Sequence, residues 1–373
     1  MIRPQAVILS DNKDNNFKLL RIVLSFLVIF AHSYVIANGQ SYKGKDPLER
    51  WIGVPLGHLS VNAFFVISGF LITASYLSRN NLYHYLWARI LRIYPAYIAA
   101  TLFCAIIVGT LFTTLPRKEY LRDPQTTIYV THNLPLLCSG FMDGRVDGHW
   151  TNITKKVASS LKYVLPGVFA YNPFPSVVNV PIWTLPWELI MYLSVAIIGL
   201  AGLLTRPLVL AVCTIATVII FFANDRFEFW PSNEIRDLLQ FLSFFYLGAL
   251  VHLFRTKIQI RMGYLALSVF FPAILIGTPC FKYALYLSLV LGVFLFAFLP
   301  SKTLRVYNRI GDYSYGMYIY CFPIQQCVAA RYPLITPLSL FVAAVAITLP
   351  IAVLSWHLLE NPLITLGRSR AKI

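Results

Sequence analysis

Windows of about twenty apolar residues, separated by short polar stretches, recur along almost the whole chain. They predict ten helices, near residues 18–38, 58–78, 93–114, 182–204, 207–223, 238–254, 263–279, 283–300, 313–332 and 337–358. One connection is long. Residues 115–181 are rich in Pro, Tyr and Thr without a strong apolar period, and are expected to cap the outer mouth of the bundle or fold into short helices there. The expected fold is all-α: a polytopic transmembrane helix bundle of about ten helices with a long outer loop between helices 3 and 4. It forms a single integral membrane domain over 1–373, with 1–17 as a cytoplasmic N-terminal segment, 115–181 as an extracytoplasmic loop and 360–373 as a cytoplasmic tail.

Composition removes the soluble alternative. Hydrophobic residues make up 58% of the chain and charged residues 12%, too little charge to coat two or three water-facing domains. A mean hydropathy of +0.66 agrees. The net charge of +16 invites a nucleic-acid reading, yet no basic groove with interleaved aromatics lies outside the apolar spans. In a membrane chain such an excess records which loops face the cytoplasm. With ten spans, sixteen Lys and Arg residues fall on the side of the termini and seven in the short loops opposite, which puts both termini in the cytoplasm. The polar N-terminal stretch and the missing small-x-small cleavage site argue against a removable signal peptide. The six cysteines include no C-x-x-C pair, so neither a disulfide framework nor a zinc site is expected. Cys138 alone sits in a polar loop. The Asp143–Gly148 run lacks the alternating oxygen ligands of a calcium loop, and Asn152–Ile153–Thr154 is a glycosylation sequon by pattern only.

Titratable residues inside apolar spans are expensive and mark candidate sites. Arg21 and His32 lie eleven residues apart on the first helix. That is almost three turns, so they share one face about 16 Å apart along the axis. Glu188 enters with the fourth helix from the outer side, so that it and His32 would each lie about 9 Å inside the outer end. The two are expected to meet at one level as an acid/base site; a purely structural His–Glu pair is the competing reading. Arg89 and Arg92, three apart, present two guanidinium groups on one helix face at the membrane surface. They suit either a phosphate clamp or a positive-inside anchor. A cytoplasmic anion site with a proton-transfer site in the outer half would serve a long phosphorylated donor. It would equally serve a proton-coupled transporter or a flippase of a sugar or lipid-linked sugar.

These residues resemble the membrane-bound acyltransferase 3 family, which O-acetylates or O-acylates surface sugars, mostly in bacteria. Arg21 to His32 reproduces its Arg-x10-His first helix, and Asn62–Leu71 its second-helix signature. Arg89–Pro95 matches R-x-x-R-I-x-P, Trp183–Glu188 resembles W-T-L-x-x-E, Ser314–Tyr318 resembles S-Y-x-x-Y, and Glu360–Pro362 resembles the closing E-x-P. Six motifs in the right order span almost the whole chain. The sequence departs from many members at Cys321, where a histidine follows S-Y-x-x-Y; a buried thiol there is read as inert rather than acyl-carrying. The extra esterase-like domain of some members is not expected.

The resemblance implies acetyl transfer from acetyl-CoA, or another acyl-CoA, bound as donor substrate from the cytoplasm. The acceptor would be a hydroxyl of an envelope glycan or lipid-linked sugar. O-antigen, capsule, exopolysaccharide, peptidoglycan and nodulation-type oligosaccharides all remain open. Arg89 and Arg92, with Arg21, would hold the phosphates. His32, with Glu188, would act as general base or carry the acyl group. Asn62, Ser68, Trp183, Tyr315 and Tyr318 are candidates for oxyanion or acceptor contacts. No metal, tightly bound cofactor or nucleic acid is implied. The location would be a bacterial inner membrane, in contact with lipid.

Overall fold

The computed structural model describes residues 7–8, 15–39, 41, 44–79, 81–136, 164–261 and 263–370, with the side chains of 7–8, 260 and 368–370 left aside. Cys138, the Asp143–Gly148 run, the Asn152 sequon and the basic residues Arg3, Lys13, Lys43 and Lys372 lie outside this description. Apart from a two-residue antiparallel pair, β1 (Val7–Ile8) with β2 (Gln259–Ile260), the described residues are helical or connecting. In chain order the helices begin with α1 (Phe17–Asn38), α2 (Pro47–Ile52), α3 (Leu56–Leu77) and α4 (Leu82–Leu102). A π-helical stretch, Phe103–Val108, joins α4 to α5 (Gly109–Phe112), and α6 (Arg117–Arg122) and α7 (Pro124–Asn133) follow. A 3-10 turn, Pro181–Thr184, leads into α8 (Leu185–Leu200). Then come α9 (Pro207–Phe227), α10 (Asn233–Leu253), α11 (Gly263–Ile274), α12 (Phe281–Ala297) and α13 (Lys302–Arg305). The last are α14 (Ser314–Arg331), α15 (Pro337–Ser355), a π turn at Trp356–Glu360, and α16 (Asn361–Arg370).

Every predicted segment is helical, but fewer than ten qualify as spans by length and apolar composition. Six do, or seven if the bent pair Phe281–Ala297 and Lys302–Arg309 is one span. The others fall short for readable reasons. Helix α10 opens with Glu234, Arg236 and Asp237, α11 has 12 residues, and α14 carries Gln325, Gln326 and four tyrosines or serines in its first two turns. The third predicted helix also starts eleven residues early, at Leu82 rather than 93, so Arg89 and Arg92 lie within a helix rather than at its entry.

The chain divides into two compact units. One comprises the residues up to Leu24, His58–Tyr85 and Ile190–Ile310; the other comprises Ser25–Gly57, Leu86–Leu189 and the residues from Gly311 on.

In the first unit, buried side chains satisfy helix ends that lipid would leave unpaired. Asn16 Nδ2 donates to Phe296 O and Leu299 O (3.1 and 3.0 Å), and Lys18 Nζ donates to Asn308 O (2.9 Å). Helices α3 and α10 cross at two glycines. A Cβ on Gly69 would stand 1.8 Å from Phe245 O, and one on Gly248 would stand 2.0 Å from Val66 O. Small residues allow that approach in a medium where packing replaces the hydrophobic drive. Phe65 and Phe241 stack beside the crossing at 4.1 Å between centroids.

The second unit holds α14, α15 and the described parts of the long connection. There, α6 and α7 fold back on α4: Tyr120 OH donates to Ala105 O (2.7 Å) and Tyr97 OH to Asn133 O (2.7 Å). Burial pushes the Tyr120 phenol up to about 12, against a smaller opposing effect of Thr126. Residues Val164–Val180 form an irregular insert whose Phe174, Val177 and Val178 are almost fully buried. A buried irregular backbone needs polar partners, and α14 provides them. Gln326 Nε2 donates to Phe174 O (2.9 Å) and Val177 O (2.7 Å), while Gln326 Oε1 accepts from Asn172 Nδ2 (2.8 Å). Asn179 Nδ2 donates to Ile319 O (2.9 Å). Two non-glycine residues with left-handed backbone, Phe169 and Ser176, shape the turn and are held there by this packing.

Candidate active site

His32 sits in the fifth turn of α1, half-buried. Its imidazole stands edge-on to Phe322 of α14, with centroids 5.2 Å apart and planes at 87°. Phe322 in turn meets Phe174 of the insert at 6.2 Å. The turn that carries His32 is tied to the same helix: Gln325 Nε2 donates to Ile29 O (2.9 Å) and to Ser33 Oγ (2.7 Å).

Glu188 lies half-buried in the first turn of α8, where the helix dipole favours a carboxylate. Its position follows from the 3-10 turn before it. Tyr318 OH donates to Pro181 O (3.1 Å) and lies 2.8 Å from Thr184 Oγ1. The Glu188 carboxylate acts electrostatically on the hydroxyls of Tyr315 and Tyr318.

Helix α14 therefore serves as a common ruler for the two groups. His32 is set against Phe322, four residues beyond Tyr318 and seven beyond Tyr315. The chain before α8 does not wait at the bundle's mouth. It descends along α14, so that Pro181 is level with Tyr318, thirteen residues (about 20 Å) from the end of α14 at Arg331.

Arg92 has partners that its spacing from Arg89 does not reveal. Its Nη2 donates to Asp312 Oδ2 at 2.8 Å, and its Nη1 reaches Glu360 Oε2 at 3.5 Å. The guanidinium faces the rings of Trp356 and Tyr315 at 5.6 and 5.8 Å. Ser314 Oγ donates to the other Asp312 oxygen (2.6 Å) and Ser355 Oγ to the other Glu360 oxygen (3.1 Å). The π turn at Trp356–Glu360 brings Trp356 and Glu360 onto one side at this point. Tyr315 OH donates to Ile93 O (3.0 Å), so this candidate contact is engaged by the backbone of α4. Arg89, one turn before Arg92, is half-buried, as is Trp183 in the 3-10 turn. Cys321 is buried.

The remaining candidates belong to the first unit. Arg21 is half-buried in the second turn of α1 and Ser68 half-buried on α3. Asn62 is fully buried; its Oδ1 accepts from Gln240 Nε2 at 2.7 Å, and its Nδ2 has no partner among the described residues.

Sequence reasoning gave no role to Gln325, Gln326, Asp312 and Asn172. Paired glutamines inside an apolar helix were the available signal, because buried amides need partners. Glu360 had been noticed as a motif letter without a role.

Comparison with known proteins fits this arrangement. The family profile described as an acyltransferase domain matches residues 14–357. A protein of Shigella phage Sf6 named O-acetyl transferase is 24% identical, over 97% of this chain and 99% of its own length. Nodulation protein 10 of Rhizobium leguminosarum bv. viciae is 26% identical over 96% of each chain. No solved structure matches the chain.

Proposed function

The chain belongs to the acyltransferase 3 family and is a membrane-embedded acyltransferase; from that premise we propose that it transfers an acyl group, acetyl foremost, from cytoplasmic acyl-CoA to a hydroxyl of an envelope glycan on the opposite side of the membrane. The observation that carries this reading is the family match over 14–357, which takes in every candidate residue except the Glu360 motif. The name of the Shigella phage Sf6 relative, an O-acetyl transferase, supports acetyl as the group and an oxygen as its acceptor. This reading includes a bacterial inner membrane with both termini in the cytoplasm; the loop-charge count supports the side of the termini.

In this reading Arg89 contacts donor phosphates. Arg92 stays with Asp312 and Glu360 and holds α4 in place. His32 takes the proton of the sugar hydroxyl as the oxygen attacks the thioester carbonyl. The C–O bond forms, the C–S bond breaks, and the CoA thiolate recovers the proton from the imidazolium. Glu188 acts at the level of Tyr315 and Tyr318, on the donor's side of His32.

The test is acyl transfer in membranes supplied with radiolabelled acetyl-CoA and an envelope glycan fraction. Label that enters the glycan and requires His32 supports the reading. Sugar translocation without label transfer would identify a transporter and overturn it. Label that stays on the protein when acceptor is withheld distinguishes an acyl-histidine route from direct transfer.

A further inference from the structure

Gln325 is 1% exposed, in the middle of α14, and has no ionisable group to explain its presence in an apolar helix. Its amide orientation is fixed by chemistry. Ile29 O can only accept, so the atom 2.9 Å from it is the NH2 group, whose second hydrogen goes to Ser33 Oγ at 2.7 Å. Ser33 Oγ itself reaches Ile29 O at 2.9 Å. The three groups close a small network across the turn Ile29–Ser33, which is the turn that carries His32. Phe322, three residues before Gln325 and therefore on the same face of α14, sets its ring against the imidazole. One helix thus grips the His32 turn twice, by an aromatic edge and by a carboxamide. The remaining atom, Gln325 Oε1, is buried and has no hydrogen-bond partner among the described residues. A buried acceptor left open beside a turn bearing an acid/base group is costly as structure alone.

We propose that Gln325 is the positioning residue for His32. Nε2 fixes the rotation of α1 at Ile29–Ser33 and with it the turn that carries His32. The inference rests on the reading of His32 as the acid/base group. It assigns Gln325 no contact with the reacting atoms.

The experiment compares His32→Ala, Gln325→Met and the double variant by steady-state acetyl transfer, with membrane abundance and thermal stability measured in parallel. Methionine keeps the volume and removes both hydrogen-bonding functions. Gln325→Met is expected to lower kcat on the order of 10²-fold, as misplacement of a reacting group does. The KM for acyl-CoA should stay within about twofold. The double variant should be no slower than His32→Ala. An unchanged kcat, a change confined to KM, or a further loss on the His32→Ala background each overturns the proposal. If Gln325→Met fails to accumulate, Ser33→Ala removes one of the two Nε2 contacts; a kcat loss of the same kind supports the proposal and wild-type kcat overturns it. Activity surviving in His32→Ala would sink the underlying reading instead, which keeps the two failures apart.

Discussion

The guanidinium of Arg92 donates to the carboxylate of Asp312 across 2.8 Å, with side chains only 16% and 9% exposed. With Glu360, fully buried on the other edge, the cluster brings two carboxylates to one guanidinium. A cation so enclosed is a poor candidate for a mobile phosphate. Its more direct role is to tie the helix that carries Arg89 to α14 and to the π turn after α15. Removing one member of a buried pair leaves the other uncompensated, at a cost of about 3–5 kcal/mol. Arg92→Ala is therefore expected to lower the thermal stability of the detergent-solubilised protein before any effect on substrate affinity is read. Arg92→Lys should recover little, because an ammonium cannot span both carboxylates and lie against two rings. A variant with wild-type melting and a raised KM for acyl-CoA alone would return Arg92 to the phosphate site.

Arg89 has the complementary expectation. It sits one turn earlier on the same helix face and is half-buried. Loss of a charge-assisted contact to a donor phosphate would raise the KM for acyl-CoA by about tenfold or more. The glycan KM and the melting temperature should stay near wild type. Equal shifts for both substrates would leave Arg89 as a membrane-surface anchor.

The crossing of α3 and α10 gives a prediction about folding. A methyl at Gly69 would meet Phe245 O at 1.8 Å, and one at Gly248 would meet Val66 O at 2.0 Å. Both obstacles are backbone of a neighbouring helix and cannot swing away. Gly69→Ala should separate the helices at a cost of at least about 1–3 kcal/mol, seen as loss of the monodisperse peak after extraction. Gly292→Ala, with nothing within 4 Å of the added carbon, is the control and should behave as wild type.

How much of this was legible beforehand depended on the range of the interaction. Apolar windows located the long helices, because that signal is local and strong, but not the short α2, α6, α7 and α13. The early start of α4 was hidden, since Tyr83, His84, Arg89 and Arg92 dilute the hydropathy of a stretch that is helical all the same. The path of the chain into α8 was hidden for a different reason. Counting rise per residue presumes that a helix begins at the membrane surface, whereas Thr184 and Pro181 are drawn down to Tyr318 by hydrogen bonds spanning more than 130 residues. The partners of Arg92 were equally remote, 220 and 268 residues along the chain. Motif letters showed that Glu360 and Ser314 belonged together in a family pattern, but the pattern is silent on what they bind. No local period marks a buried insert such as Val164–Val180, whose Phe174 and Val177 carbonyls are satisfied by a single distant glutamine.

That glutamine supplies the last test. Gln326 is fully buried and all of its side-chain functions are engaged: two carbonyls of the insert accept from Nε2, and Asn172 donates to Oε1. Gln326→Leu keeps the bulk but strands Phe174 O and Val177 O in an apolar setting and leaves Asn172 Nδ2 only its bond to Gln326 O (2.9 Å). Each unsatisfied group costs about 1–3 kcal/mol. The weakest response open to the molecule is local, with the insert leaving α14 while the helices keep their packing around Phe322 and Ala352. The expected result is faster hydrogen exchange and new protease cleavage within 164–180, with helical content and extraction behaviour unchanged. Gln326→Glu should resemble Gln326→Leu, because a carboxylate cannot donate to the two carbonyls and a protonated one can serve only one. Were exchange in this segment unaltered, burial of Phe174, Val177 and Val178 alone would hold the insert, and the hydrogen bonds would follow from its position instead of fixing it.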